Sequence, residues 1–127
     1  MNPDLLNPSV LAFVGDGVYT LLVREKLAGV NRRSGDLHAL SVEFVKASAQ
    51  AKAFNVISED LTEHELSVFK RGRNFHTHNT PKNSTKEEYH AATGLETLFG
   101  YLHLCSNATR ITELFDKIWE NLTLEKV

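Results

Sequence analysis

The chain has one cysteine, one tryptophan and three prolines among its 127 residues, and nowhere a long apolar run. A lone cysteine, Cys105, excludes an internal disulfide framework and suits a reducing compartment, so the cytoplasm is the expected address. Within Tyr101-Leu102-His103-Leu104-Cys105 it reads as a small buried hydrophobe. No stretch approaches the roughly 20 apolar residues of a bilayer span, which argues against a membrane protein. The start, Met1-Asn2-Pro3-Asp4, lacks the basic region and apolar stretch of a secretory signal. Strand alternation is almost absent as well, which leaves one all-α domain spanning 1–127. An excess of one charge is also missing. With a net charge of -2, composition does not announce a nucleic-acid binder. The distribution is more telling. Between Lys70 and Lys86 lie five basic residues (Lys70, Arg71, Arg73, Lys82, Lys86), two histidines and no acid. Such a stripe suits phosphate contact, although a solvated turn has the same composition.

What the chain does have is helical periodicity. Asn7 caps a first helix with Pro8 at its first position, running to about Leu27, and Gly29 ends it. A second helix starts near Ser34 or Asp36 and extends to around Phe54, with Leu37, Leu40, Phe44, Val45, Ser48 and Ala51 on one face. Thr62 with Glu65 forms a capping box for a third helix that reaches the Lys70–Arg73 cluster. Ser84 with Glu87 reads as another, opening a helix to about Leu104. Asn107 begins the last, Ala108 to about Leu122, with Ile111, Leu114, Phe115, Ile118 and Trp119 on one side. The exception is Asn74 to Asn83, a polar aperiodic loop of a length usually kept for function.

Two carboxylates stand out. Apolar side chains surround most of the first helix between Val10 and Val23, so that helix is expected to be buried. Asp16 lies in its middle between Gly15 and Gly17, on a stripe of Ser9, Ala12, Phe13, Tyr19, Thr20 and Val23 that holds no Lys or Arg. Glycines in a helix interior each cost about 1 kcal/mol relative to alanine, and a carboxylate withdrawn from water needs a cation or several donors. The fourth helix repeats the pattern with Glu96, whose stripe of Tyr89, Ala92, Thr93, Gly100 and His103 also lacks a basic partner. Small residues beside both acids (Gly15, Gly17, Ala92, Gly94, Gly100) would let the two helices approach closely. Two carboxylates from facing helices make a natural site for a hard divalent ion such as Mg²⁺. A purely structural reading, with a hydroxyl such as that of Tyr19 or Thr20 satisfying Asp16, stays open at this point.

At these residues the chain resembles the ribonuclease III catalytic domain, and within that family the compact Mini-ribonuclease III group. The family's Phe-Leu-Gly-Asp-Ala-Val-like stretch appears as Phe13-Val14-Gly15-Asp16-Gly17-Val18. Its Glu-Ala-Leu-Ile-Gly-like run appears as Glu96-Thr97-Leu98-Phe99-Gly100-Tyr101-Leu102. Between them, Lys70-Arg71-Gly72-Arg73-Asn74 and Pro81-Lys82-Asn83 resemble markers of the Mini group. The likeness runs from Leu6 to Leu122. It implies a ribonuclease III-type helical bundle and an Mg²⁺-dependent endonuclease for double-stranded RNA. Asp16 and Glu96 are then catalytic and metal-binding, and Lys70, Arg71, Arg73, Asn74, Lys82 and Asn83 face RNA. It also implies a homodimer, 5′-phosphate products and a role in maturing the ends of precursor large-subunit (23S) ribosomal RNA, with a ribosomal protein as a possible presenter of the substrate.

The chain departs from full-length ribonuclease III where further acids are expected, since Ser9 and Ala12 stand in the first helix and Thr93 in the fourth. There is also no room for the double-stranded-RNA-binding domain of the larger relatives. A rival reading follows from the missing acids: a non-catalytic RNA-binding scaffold with the same fold. An enzyme acting on small phosphorylated metabolites is weaker, because it leaves the basic loop unexplained. His76 and His78 could contact RNA; as a transition-metal pair they lack a third ligand.

Overall fold

Helix α5 (Lys86–Leu104) is the axis around which the other helices are arranged. The computed structural model describes residues 1–75 and 82–126, so the readings placed on His76, His78 and Pro81 lie outside the described residues. The remaining helices are α1 (Pro8–Ala28), α2 (Ser34–Val45), α3 (Ala47–Ile57), α4 (Glu63–Arg73) and α6 (Ala108–Lys126), with short 3-10 turns at Pro3–Leu5 and Ser58–Asp60. Among the described residues there is no strand, as the all-α reading expects. Nine residues of α5 are buried, among them Leu95, Leu98 and Phe99, because α1, α3, α4 and α6 all pack against it. Tyr19 of α1 meets Phe99 and Phe115 edge-on at 5.4 and 5.5 Å and ties α1, α5 and α6 together.

Local chemistry accounts for most helix starts. The Asn7 side chain accepts from the Ser9 N–H at 2.9 Å, and Pro8 follows with no N–H to satisfy. Thr62 and Glu65 form the expected reciprocal capping box. Glu65 also receives a two-pronged bond from Arg110, at 2.8 and 2.9 Å, which docks α6 onto α4. Burial opposes the Glu65 charge, but Arg110 and the Thr62 N–H outweigh it and hold the carboxyl below its usual range.

Four expectations are corrected. The capping box of α5 is formed by Thr85 and Glu88, one residue later than Ser84 and Glu87. The segment Ser84-Thr85-Lys86-Glu87-Glu88 offers both registers, and in the realised one the Ser84 hydroxyl has no partner among the described residues. The second helix is two helices. Lys46 adopts an extended conformation (φ -64, ψ 156) that ends α2 and begins α3. No Gly or Pro marks the break, and it shifts the buried face of α3 to Ala49, Gln50, Ala53 and Ile57. Cys105 is exposed, because it caps α5 where the chain reverses through Ser106 at positive φ. Finally, α1 is buried on one side only. Leu11, Gly15, Tyr19, Val23 and Leu27 face the core, whereas Phe13 is 82% and Leu21 58% exposed. Within one chain α5 covers a single face of α1, so the second apolar stripe is left outside.

Candidate active site

Helices α1 and α5 cross with their main chains in contact. A β-carbon built on Gly15 would fall 1.6 Å from the Glu96 backbone oxygen, and one on Gly100 would fall 1.9 Å from that of Leu11. Only glycine permits so close an approach at these two positions. The crossing sets Asp16, one residue on from Gly15, beside Glu96, with the two carboxyl groups within hydrogen-bonding reach. Asp16 itself is exposed, at the edge between the buried and exposed stripes of α1, and Glu96 is half-buried. The expectation that Asp16 is enclosed by an apolar helix is therefore corrected, whereas its pairing with Glu96 is what the structure displays.

No cation partners either acid among the described residues. Glu96 accordingly binds its proton far more tightly than a free carboxyl. Burial, then the charge of Asp16 and the hydrogen bond shared with it, push its pKa up to about 8, opposed by a bond from Gln50. Burial, and after it the charge of Glu96, raises the nearby Tyr19 hydroxyl as well. Two crowded carboxylates form an oxygen donor set that suits a hard divalent cation, which would remove the repulsion between them. No group of three His, Cys, Asp or Glu side chains converges among the described residues, in keeping with the few acids of the two motifs. The positions where larger relatives would carry acids are engaged locally. The Ser9 hydroxyl donates to Asn7 Oδ1 at 2.9 Å and the Thr93 hydroxyl to the Tyr89 carbonyl at 3.0 Å.

A third polar group, unmarked by the sequence pattern, reaches the pair. Gln50 of α3 is 3% exposed, and its Nε2 lies 3.4 Å from Glu96 Oε2. Its signal, a glutamine amid the alanines of Ala47-Ser48-Ala49-Gln50-Ala51, was hidden because one continuous helix does not put it on the buried face.

The basic end of α4 lies next to this crossing. A β-carbon on Gly72 would meet the Thr97 side chain at 2.1 Å, so the last turn of α4 sits on the turn of α5 that carries Glu96. Lys70 and Arg71 are exposed there, Arg71 donating to the Leu6 carbonyl at 3.0 Å just before α1. Arg73 is half-buried over the Phe69 ring at 6.0 Å and donates to Asn74 Oδ1 at 3.1 Å. Lys82 and Asn83 are exposed in the turn leading into α5.

Residues 9–107 match the family model of the ribonuclease III domain, a span that holds the α1–α5 crossing and the basic end of α4. Among curated relatives, the Mini-ribonuclease 3 of Symbiobacterium thermophilum is 42% identical over 114 residues, covering 89% of this chain and 88% of that protein. That of Clostridium tetani is 40% identical over 111 residues, covering 86% and 74%. This chain belongs to the ribonuclease III family, in its Mini-ribonuclease 3 group. It is an endoribonuclease of the ribonuclease III type. The ribonuclease III fold agrees with a solved structure. The crystal structure of a Fusobacterium nucleatum protein superposes with a TM-score of 0.80 at 27% identity, covering 87% of this chain and 89% of that one. No helix among the described residues is long and apolar enough to cross a membrane.

Proposed function

We propose that this endoribonuclease cuts double-stranded RNA with Mg²⁺ held by Asp16 and Glu96, acts as a homodimer in the cytoplasm, and matures the ends of precursor 23S ribosomal RNA. The observation that carries the reading is the carboxylate pair at the α1–α5 crossing, brought together with no cation among the described residues and with Glu96 raised to about 8. A protein keeps such a pair against its own repulsion where a function uses it. A bound Mg²⁺ supplies a Lewis acid at the scissile phosphate and favours an attacking hydroxide. Asp16, the exposed member, presents its oxygens to solvent and substrate, and half-buried Glu96 anchors the site against the core. Attack in line with the P–O3′ bond would expel the 3′-oxygen, which takes up a proton, and leave a 5′-phosphate and a 3′-hydroxyl.

Lys70, Arg71, Arg73 and Asn74 at the end of α4, with Lys82 and Asn83 in the turn before α5, would contact RNA, the cations through backbone phosphates. Contacts of that kind position an A-form duplex by its shape without reading sequence. Support for a homodimer comes from α1, where Val10, Phe13, Gly17 and Leu21 follow one another at helical spacing on the exposed side. A second copy packed there would bring two sites together for staggered cuts on the two strands. A ribosomal protein that presents the substrate is compatible with this arrangement.

The deciding experiment incubates a labelled RNA duplex with wild type and with Asp16→Asn, each with and without Mg²⁺. Wild type should cut only with the metal, while the variant stays folded and binds RNA without cutting. Full activity in Asp16→Asn would remove the assignment. A wild type that binds the duplex yet never cuts would favour the RNA-binding scaffold.

A further inference from the structure

Gln50 is fixed by the same break that separates α2 from α3. The extended Lys46 leaves the Val45 carbonyl at the end of α2, and the Gln50 Nε2 donates to that oxygen at 2.9 Å. The orientation of the amide follows, because a carbonyl oxygen only accepts and the nitrogen must therefore face Val45. The other hydrogen of Nε2 is directed to Glu96 Oε2 at 3.4 Å. Oε1 is then left buried with no hydrogen-bond partner among the described residues, although the side chain is 3% exposed. Buried amide oxygens in native proteins are almost always paired, so this one calls for a partner beyond the described residues. It belongs to a group already bonded to one of the two proposed metal ligands.

The geometry points to Gln50 as the positioning residue of the metal site. Its N–H fixes the orientation of the Glu96 carboxylate, and its free Oε1 accepts a hydrogen bond from the hydration shell of the ion. The inference rests on the reading that Asp16 and Glu96 hold that ion. A role confined to bridging the α2–α3 break would involve Val45 alone and would leave ion affinity unchanged. Groups that orient a metal ligand typically change affinity by about 10- to 100-fold when removed.

The test is calorimetric titration of Mn²⁺ into RNA-free wild type, Gln50→Met, Gln50→Asn and Glu96→Gln, with the unfolding midpoint read on the same samples. Gln50→Met keeps the length and volume of the side chain without its polar atoms, and should bind Mn²⁺ at least 10-fold more weakly while staying folded. Gln50→Asn withdraws the amide by one methylene and should weaken binding similarly; it decides the matter if Gln50→Met does not fold. Wild-type affinity, within twofold, in a folded Gln50 variant overturns the role of Gln50 when Glu96→Gln has lost the ion. If Glu96→Gln binds Mn²⁺ as well as wild type does, the ion lies elsewhere, and both the metal assignment and the role of Gln50 fall.

Discussion

Gly15 lies against Glu96 so closely that the hydrogen on its α-carbon occupies the only space available, and any β-carbon there would overlap the Glu96 carbonyl. The spacing between the two carboxylates is thus set by main chain against main chain, with no side chain between the helices that could be trimmed or repacked.

Gly15→Ala should therefore behave unlike an ordinary glycine-to-alanine change in a helix. Propensity alone would stabilise by about 1 kcal/mol. Forcing the helices apart should reverse the sign and cost about 3 kcal/mol. Urea unfolding midpoints measure this, and cleavage should fall further than stability does, because the acids are moved apart. An unchanged midpoint would contradict the contact between the helices.

The exposed stripe of α1 makes a separate expectation. Phe13→Glu removes nothing from the core, since Phe13 is 82% exposed, and should leave the helical circular dichroism signal intact. Light scattering should show wild type as a dimer and this variant as a monomer. In the monomeric background Gly17→Ala should add about 0.5–1 kcal/mol of stability, as a β-carbon there meets nothing within 4 Å. A wild type that is already monomeric at high concentration would remove the dimer from the proposed function.

Stability without metal should depend on pH through Glu96. Its pKa is raised in the folded chain from 4.5 to about 8, so the folded state holds a proton that the unfolded state releases. The stabilisation this confers is complete below the unfolded value of 4.5 and is lost as pH rises through about 8. Metal-free wild type should thus lose on the order of 1–3 kcal/mol relative to Glu96→Gln between pH 5 and pH 8.5, a figure reduced for the solvent still reaching a half-buried pair. Thermal melts of both proteins across that range measure the difference, and Mg²⁺ should restore wild type at the alkaline end. Parallel pH curves for the two proteins would show that Glu96 is not strained.

RNA affinity should report the basic end of α4. Neutralising Arg71 and Arg73 together should weaken duplex binding and reduce the slope of log K against log salt by roughly one unit per lost phosphate contact. Arg73 also lies half-buried over Phe69, so Arg73→Ala should cost about 0.5–1 kcal/mol in stability as well, on the order expected for a cation over a ring. An unchanged salt slope would place the RNA elsewhere.

Much of this architecture is legible in the sequence because its signals are local. Asn7-Pro8 and Thr62 with Glu65 specify helix starts through bonds made within a few residues, and the structure forms them as expected. The features that escape are those decided by distant neighbours. Lys46 breaks a helix without Gly or Pro, and the Gln50 side chain, not the backbone, satisfies the carbonyl left at the break. Periodicity identifies α1 as apolar on nearly every side but cannot tell a face turned to the core from one turned outward, so Asp16 reads as enclosed although it is exposed. The site itself is half legible. Asp16 and Glu96 are conspicuous as acids among apolar residues, whereas Gln50 becomes visible only once the helix phase changes at position 46.

That change of phase also separates what is firmly held from what is loosely held. Helix α2 buries only Ser41 and Phe44 and joins α3 through one extended residue, whereas α3 buries Ala49, Gln50, Ala53 and Ile57 and packs against both α5 and α6. Local opening draws on regions with few buried contacts. The backbone amides of α2 should therefore exchange with solvent before those of α3 and α5, with protection strongest in the helices that carry Gln50 and Glu96.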